Sequence, residues 1–254
     1  MEQWMMQQLG ALKGKVGMYY KNIAAETVID FYADESYLAA SVIKLPVCAA
    51  ILHLAAAGCV DLAERIAIRV EDMVPSCGTL RMVADEVDSL SIRALCRLMI
   101  TVSDNSATNL LLRRFGLDEL NREFVALGLR GTRLERLLFD GEAAAKGREN
   151  RFVPREIGEL LEKLYRHELV NEEMDVFLEQ LLCDQQINHK IPGYLPRTVQ
   201  VAHKTGEDEK ISNDAGIIYS KEPFVLVFAC NDVDVPMAER AMREISLKLY
   251  EAST

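Results

Sequence analysis

Three short segments of the chain carry residue types that together can perform nucleophilic catalysis at a serine. They are Ser41-Val-Ile-Lys44, Ser103-Asp-Asn105 and Lys204-Thr-Gly206. A serine hydroxyl becomes a strong nucleophile when a neighbouring base takes its proton, and a lysine amine is such a base once its pKa is lowered. Ser-x-x-Lys alone arises about once by chance in a chain of this length, whereas all three segments in this order are far more specific.

The first segment is predicted to open a helix over Ser41–Ala57 that ends at Gly58. Unpaired N–H groups at a helix N-terminus favour developing negative charge there. Lys44 lies three residues after Ser41, so its amine can reach the serine hydroxyl. Pro46 removes a backbone donor and predicts a distinct first turn. The alternative is that Ser41 only caps the helix and Lys44 is a solvated charge.

The other two segments are predicted to lie at a helix–helix turn and at the end of a strand. Ser103 is suited to pass a proton to a leaving nitrogen, and Asn105 to hydrogen-bond a substrate amide. Lys204 and Thr205 can hold a carboxylate, and Gly206 lets the backbone approach a substrate. Each segment taken alone also has an explanation without catalysis. Ser103-Asp-Asn105 can be a cluster of helix N-cap residues, and Lys204-Thr-Gly206 can be the end of a strand at a glycine.

The elements that must position these residues follow from hydrophobic periodicity. Strands are predicted at 15–21, 27–32, 199–205, 215–220 and 224–229, a closing helix at 236–250, and a helical pattern from about 41 to 190. We therefore expect one α/β domain over 1–254 with a mixed, mainly antiparallel sheet flanked by terminal helices. Residues 1–38 and 196–254 would form an α/β lobe, residues 39–195 an inserted all-α lobe, and the cleft would lie between the lobes.

Composition excludes several classes of protein. The chain has 254 residues, and 29 basic against 39 acidic residues give a net charge of −10, which argues against a nucleic-acid partner. No apolar stretch is long enough to span a bilayer, so no membrane partner is expected. Six cysteines lack metal-ligand spacing, and no metal or cofactor is expected. The start lacks a secretory signal, which predicts a cytoplasmic monomer, or an exported one if an upstream segment was removed.

The segments around these motifs resemble class A β-lactamases and related penicillin-recognising serine hydrolases. The resemblance rests on Ala39-Ala-Ser-Val-Ile-Lys44, on the run Leu98–Asn105 and on Val201-Ala-His-Lys-Thr-Gly206, and it covers nearly the whole chain. It implies the fold of that family, a role in antibiotic resistance and a small-molecule substrate.

The resemblance also implies residue roles. Ser41 would be the nucleophile, Lys44 its proton partner and Ser103 the proton relay. The substrate-binding residues would be Asn105, Lys204, Thr205, Gly206 and Glu207, with the backbone N–H groups of Ser41 and Glu207 forming the oxyanion hole. Two cysteines in positions that some class A enzymes bridge, Cys48 and Cys96, would be adjacent, with their thiols reduced in a cytoplasm.

One segment departs from the family. Class A enzymes carry Glu-x-x-x-Asn just after an arginine, in an Ω-loop, and that glutamate primes the water that hydrolyses the acyl-enzyme. Here Arg136 is followed by Leu137-Leu138, and the glutamate is missing from its expected place. The nearby substitutes are Asp140, Glu142 and Glu149; a shifted loop could bring Asp140 or Glu142 inward, and the alternative is that all three are solvated.

The sequence thus predicts a serine hydrolase that is acylated at Ser41 by a β-lactam or a related amide or ester and then hydrolysed, with slow turnover if the loop lacks a base. Two alternatives stay open. One is a peptidase or esterase that uses the same residues on D-amino-acid peptides or small esters. The other is a non-catalytic module that binds β-lactams or muropeptides, against which the retention of Lys44, Ser103, Asn105 and Lys204 argues.

Overall fold

A five-stranded antiparallel sheet forms the centre of the computed structural model, which describes residues 1–254. In spatial order its strands are β2 (Thr27–Phe31), β1 (Lys15–Asn22), β9 (Phe224–Asn231), β8 (Ile211–Ile218) and β7 (Val201–Asp208). Two short antiparallel pairs lie outside it, β3 (Tyr37–Leu38) with β6 (Arg151–Phe152) and β4 (Arg65–Ala67) with β5 (Ser89–Ser91). The last strand of the central sheet, β7, is an edge strand.

The central sheet joins the two ends of the chain. The N-terminal strand β1 pairs with the C-terminal strand β9 from Lys15↔Asn231 to Asn22↔Phe224. All eight residues of β9 are buried, as expected of a central strand covered on both faces. The predicted α/β fold class is confirmed, and every strand pairing in the sheet is antiparallel.

Nine helices surround the sheet. They are α1 (Glu2–Gly10), α2 (Lys44–Ala56), α3 (Ile92–Thr101), α4 (Asn105–Phe115), α5 (Leu117–Ala126), α6 (Gly141–Ala145), α7 (Pro154–Tyr165), α8 (Glu172–Cys183) and α9 (Val235–Ala252). One face of the sheet packs against α1 and α9, through side chains such as Leu9 and Ile245. The other face packs against a larger core that includes α2, α3, α7 and α8. None of the helices combines the length and the apolar character needed to cross a membrane.

The segment predicted as a helix over Ser41–Ala57 has a first turn that is distinct from the helix after it, as Pro46 predicts. Residues Ala40–Ile43 form a 3-10 turn, and the α-helix α2 starts only at Lys44. Pro46 lies in the first turn of α2, where a backbone N–H has no partner within the helix, so the proline is tolerated.

The prediction of a purely helical pattern from 41 to 190 is wrong in detail. The strands β4, β5 and β6 lie inside this stretch, and each is two or three residues long. Strands this short show no period-two pattern, because pairing with distant segments creates them.

The cysteines Cys48 and Cys96 lie on α2 and α3. Both are buried free thiols, and the neighbouring Cys96 thiol, followed by burial, raises the pKa of Cys48. The predicted adjacency of these two cysteines is therefore confirmed. Their position in the core between two helices makes them part of the packing, since a buried thiol behaves as a small apolar group.

Candidate active site

The three chemistry-bearing segments meet at one cavity of about 630 Å³. Its lining includes Ser41 from the 3-10 turn, Ser103 and Asn105 from the α3–α4 junction, and Thr205 and Glu207 from β7. The first and last of the three segments are 160 residues apart in the chain, counted from Lys44 to Lys204. The fold therefore assembles in space the set that the sequence predicts.

A strained turn presents Ser41. Ala40, just before it, has φ 43°, in the left-handed region that residues with a Cβ rarely adopt. Ala39 fixes the turn on both sides, because its N–H donates to the Asn150 carbonyl at 2.9 Å and its carbonyl accepts from the Val42 N–H at 3.1 Å. The backbone at Ser41 is thus held by the protein around it.

Gly206 lets β7 lie directly against this turn. A Cβ at that position would be 2.8 Å from the Ala39 carbonyl oxygen, 3.0 Å from the Val42 nitrogen and 3.1 Å from the Ser41 nitrogen. All three are backbone atoms, which cannot turn aside as a flexible side chain would. Only glycine brings the outer edge of β7 this close to the serine.

Lys44 is completely buried beneath Ser41 and Ser103. Its Nζ donates to the Ser103 carbonyl at 2.8 Å, to Ser103 Oγ at 3.0 Å and to Asn105 Oδ1 at 2.7 Å. Those three bonds use every hydrogen of an ammonium, and none goes to Ser41. Burial, and next the cation of Lys204, hold the pKa of Lys44 well below 10.5. A neutral Lys44 amine has a lone pair that can take a proton.

Ser103 joins two lysines. Its Oγ accepts from Lys44 Nζ at 3.0 Å and from Lys204 Nζ at 3.0 Å. When both amines are charged, these bonds occupy both oxygen lone pairs of Ser103; when Lys44 is neutral, its lone pair can accept the Ser103 hydroxyl hydrogen. Ser103 also has φ 54°, a second strained backbone position in the site. Its hydroxyl can therefore exchange a proton with Lys44 at the cavity that Ser103 lines.

Lys204 is also completely buried, on β7. Burial lowers the pKa of Lys204 to about 7; the carboxylate of Asp214 opposes that shift, and the cation of Lys190 adds to it. Asp214 itself pairs with His203 at 2.9 Å. Sequence reasoning did not single out Lys190 or Asp214, because each is an isolated polar residue outside any motif.

The loop from residue 131 to 150 closes one side of the cavity. Asn109 of α4 fixes it by two bonds at 2.9 Å, one to the Leu138 carbonyl and one from the Leu138 N–H. Asn150 accepts from the Arg136 N–H at 3.1 Å, and Arg136 pairs with Glu149 at 2.8 Å. The side chain of Leu138 consequently lies in the cavity wall.

The acidic residues of this loop have different surroundings. Asp140 lines the cavity and caps α6, since its Oδ1 accepts from the Ala143 N–H at 2.9 Å. Glu149 lines the cavity but pairs with an arginine. Glu142 is 82% exposed, pairs with Lys146 at 2.6 Å and does not line the cavity. The structure brings Asp140 to the site and leaves Glu142 outside it.

Each histidine has a carboxylate partner, and no histidine lines the cavity. The pairs are His53–Glu123, His167–Glu179, His189–Glu239 and His203–Asp214. No group of three or more His, Cys, Asp or Glu side chains is arranged to hold a metal ion. The amines that contact the catalytic motif residue Ser103 are those of Lys44 and Lys204.

The chain is similar to known proteins over almost its entire length. A model of the family described as the Beta-lactamase enzyme family matches residues 5–253. Among solved structures, a β-lactamase from Sphaerobacter thermophilus is 26% identical, with a TM-score of 0.88 over 98% of this chain and 95% of that one. PBP-A is 26% identical, with a TM-score of 0.88 over 99% and 94% of the two chains. An ancestral class A β-lactamase, 23% identical with a TM-score of 0.88 over 99% of both chains, has the same fold.

Proposed function

The chain belongs to the β-lactamase enzyme family, and from that membership we propose that it is a serine hydrolase of the class A type, acylated at Ser41 and freed slowly. Its substrates are small molecules with a β-lactam or a related amide or ester bond. The observation that carries the proposal is the pair of bonds at 3.0 Å that place Ser103 Oγ between the amines of Lys44 and Lys204, beside Ser41 in one cavity.

In the acylation step, Ser41 Oγ attacks the carbonyl carbon of the lactam and its proton passes to the neutral amine of Lys44. The new C–O bond gives a tetrahedral oxyanion. When the C–N bond breaks, Ser103 gives its hydroxyl proton to the leaving nitrogen and takes one back from the Lys44 ammonium. The product is an ester of Ser41, and both lysines return to their starting charge.

The oxyanion of that intermediate needs hydrogen-bond donors. We assign them to the backbone N–H groups of Ser41 and Glu207. Two observations support the assignment. At Gly206, β7 lies directly against the backbone of the turn that carries Ser41. In addition, β7 is an edge strand, and the outer side of an edge strand carries N–H groups with no partner strand.

Deacylation is helped by a carboxylate that activates water. The cavity wall carries the apolar Leu138 in the place of such a carboxylate. Asp140 is the loop acid that remains at the cavity without a basic partner, and we propose that it assists water only weakly while it caps α6. One related structure is a leucine-to-glutamate mutant of PBP-A in an acyl-enzyme complex with penicillin G. It supports an acyl-enzyme as an intermediate on this fold.

A second candidate function is a peptidase or esterase that uses the same residues on D-amino-acid peptides or small esters. The apolar Leu138 in the cavity wall favours it, because slow hydrolysis of β-lactams matters little to an enzyme with another substrate. The binding-module alternative fits less well, since burying the amines of Lys44 and Lys204 costs stability that binding alone does not require.

Rapid mixing with a chromogenic cephalosporin tests the proposal. We expect a burst equal to one molecule of product for each protein, followed by slow turnover, and no burst with Ser41→Ala. Fast steady-state hydrolysis without a burst would contradict slow release. No reaction with the cephalosporin, together with hydrolysis of D-amino-acid peptides that Ser41→Ala abolishes, would favour the second candidate.

A further inference from the structure

Glu207 places a carboxylate beside the groups that would hold a substrate. It follows Thr205 by two positions on β7, so both side chains lie on the same face of the strand. Its side chain lines the cavity and is 43% exposed. Glu207 Oε1 lies 3.2 Å from Lys190 Nζ and 3.4 Å from His189 Nε2.

The ammonium of Lys190 is fully occupied by the protein. Lys190 is completely buried, and its Nζ donates to the carbonyl oxygens of Gly206 and Asn213 at 3.1 Å each. Glu207 forms an ion pair with this nitrogen at 3.2 Å and is the one carboxylate within 4.0 Å of it. A buried cation needs such a partner, because burial without one is strongly unfavourable. The pairing holds the Glu207 carboxylate at the cavity wall.

The rest of the cavity wall is also acidic. Its ionisable lining residues with charge at neutral pH are Arg136, Asp140, Glu149, Glu207 and Asp208. The single guanidinium is already paired with Glu149. A substrate carboxylate held by Lys204 and Thr205 would therefore lie next to Glu207 and meet no free cation on the wall.

We propose that Glu207 is a specificity-determining residue, which makes the cavity select amides and esters that are neutral or cationic beside the scissile bond over those that carry a carboxylate there. This inference rests on the proposed acylation of Ser41. Like charges at close range in a partly buried site repel, and pairing with Lys190 holds the Glu207 carboxylate in place.

The test compares benzylpenicillin with its neutral methyl ester as acylating agents of Ser41, through the second-order rate constant of acylation. Glu207→Gln keeps an oxygen for Lys190 and removes the negative charge. We expect the ratio of the rate constant with benzylpenicillin to the rate constant with the ester to rise about tenfold in this variant. Asp208→Asn is the matched control, because Asp208 lines the same wall without contacting Lys190; its effect on the ratio should stay below about threefold.

An unchanged ratio of the two rate constants in Glu207→Gln, with both substrates still acylating Ser41, would overturn this inference and leave the proposed function standing. An equal change in Asp208→Asn would also overturn it, because general wall charge would then explain the effect. If neither substrate acylates Ser41 in the wild type, the proposed function fails and the inference fails with it.

Discussion

Ser103 is the residue at which two buried amines meet, and their protonation sets the chemistry at the scale of single residues. Burial lowers the pKa of both amines; the cation of Lys204 adds to the shift of Lys44, and the cation of Lys190 adds to the shift of Lys204. The useful state has Lys44 neutral as the base and Lys204 charged. The site can thus hold a base and a cation of the same residue type, each 3.0 Å from Ser103 Oγ.

This protonation state predicts a bell-shaped dependence of the acylation rate on pH. Below the optimum Lys44 gains a proton and cannot accept one from Ser41. Above it Lys204, whose pKa is lowered to about 7, loses the charge that holds substrate, so the rate falls as pH rises through 7. In Lys204→Arg the guanidinium stays charged, and the falling limb should vanish up to about pH 9. Stopped-flow rates from pH 5 to pH 9.5 check this, and a limb near 7 that persists in the variant would contradict the assignment.

Replacing Leu138 with glutamate should increase the rate of deacylation. Because it lines the cavity on a loop fixed by Asn109, Leu138→Glu should place a carboxylate where water reaches the ester of Ser41. A general base typically contributes about 10²- to 10⁴-fold, so the acyl-enzyme should decay at least about a hundredfold faster. Its lifetime follows from mass spectrometry after substrate removal. Leu138→Gln is the control of equal shape, and the same acceleration in that variant would show that polarity, and not a base, is responsible.

At the scale of elements, β7 and the 3-10 turn Ala40–Ile43 form the frame of the site. Their spacing is set by backbone atoms on both sides of Gly206, without a flexible side chain between them. This contact fixes where the Ser41 N–H points relative to the strand. The edge strand is therefore part of the catalytic geometry as well as of the sheet.

Gly206→Ala should disrupt this frame. The added Cβ would lie 2.8 Å from the Ala39 carbonyl oxygen, so the strand or the turn must move. A shift of about 1 Å costs on the order of a hundredfold in rate, and we expect that loss in the acylation constant. Gly10→Ala is the control, since its Cβ meets no atom within 4 Å. Acylation at the wild-type rate in a folded Gly206→Ala protein would contradict the role of this contact.

The long periodic elements were predictable from the sequence. The closing helix predicted at 236–250 is found in the structure as α9 (Val235–Ala252), because its apolar positions repeat at helical spacing. The two-stranded pairs β3–β6 and β4–β5 were not, because distant segments pair to make them. The strained φ of Ala40 also escaped prediction, since surrounding structure imposes it on a residue with no preference for it.

Those residues of the candidate site that belong to the three sequence motifs were predictable. The residues Ser41, Lys44, Ser103 and Lys204 were named from spacing, and the fold brings them together. The role of Lys190 could not be foreseen, because its partners are backbone carbonyls of β7 and β8 that only the folded sheet supplies. For the same reason the sequence could not separate Asp140 from Glu142; the direction of a loop side chain depends on the contacts that hold the loop.

At the scale of the whole molecule, charge should influence which substrates reach the site. The net charge of −10 and the acidic cavity wall together repel anions. Raising the salt concentration from 20 to 500 mM should therefore speed acylation by benzylpenicillin roughly two- to threefold and leave its methyl ester unaffected. Rate constants across this range check the prediction. A slower reaction of the anion at high salt would mean that attraction by Lys204 outweighs the repulsion.

Mass spectrometry of the protein after incubation with benzylpenicillin shows whether Ser41 becomes acylated. Opening the lactam keeps both halves of the molecule, so we expect one adduct with the full mass of the penicillin. The adduct should map to the peptide that contains Ser41, persist for minutes and be absent from Ser41→Ala. An unmodified wild-type protein, or an adduct on another group such as the exposed thiol of Cys77 that remains in Ser41→Ala, would contradict the account.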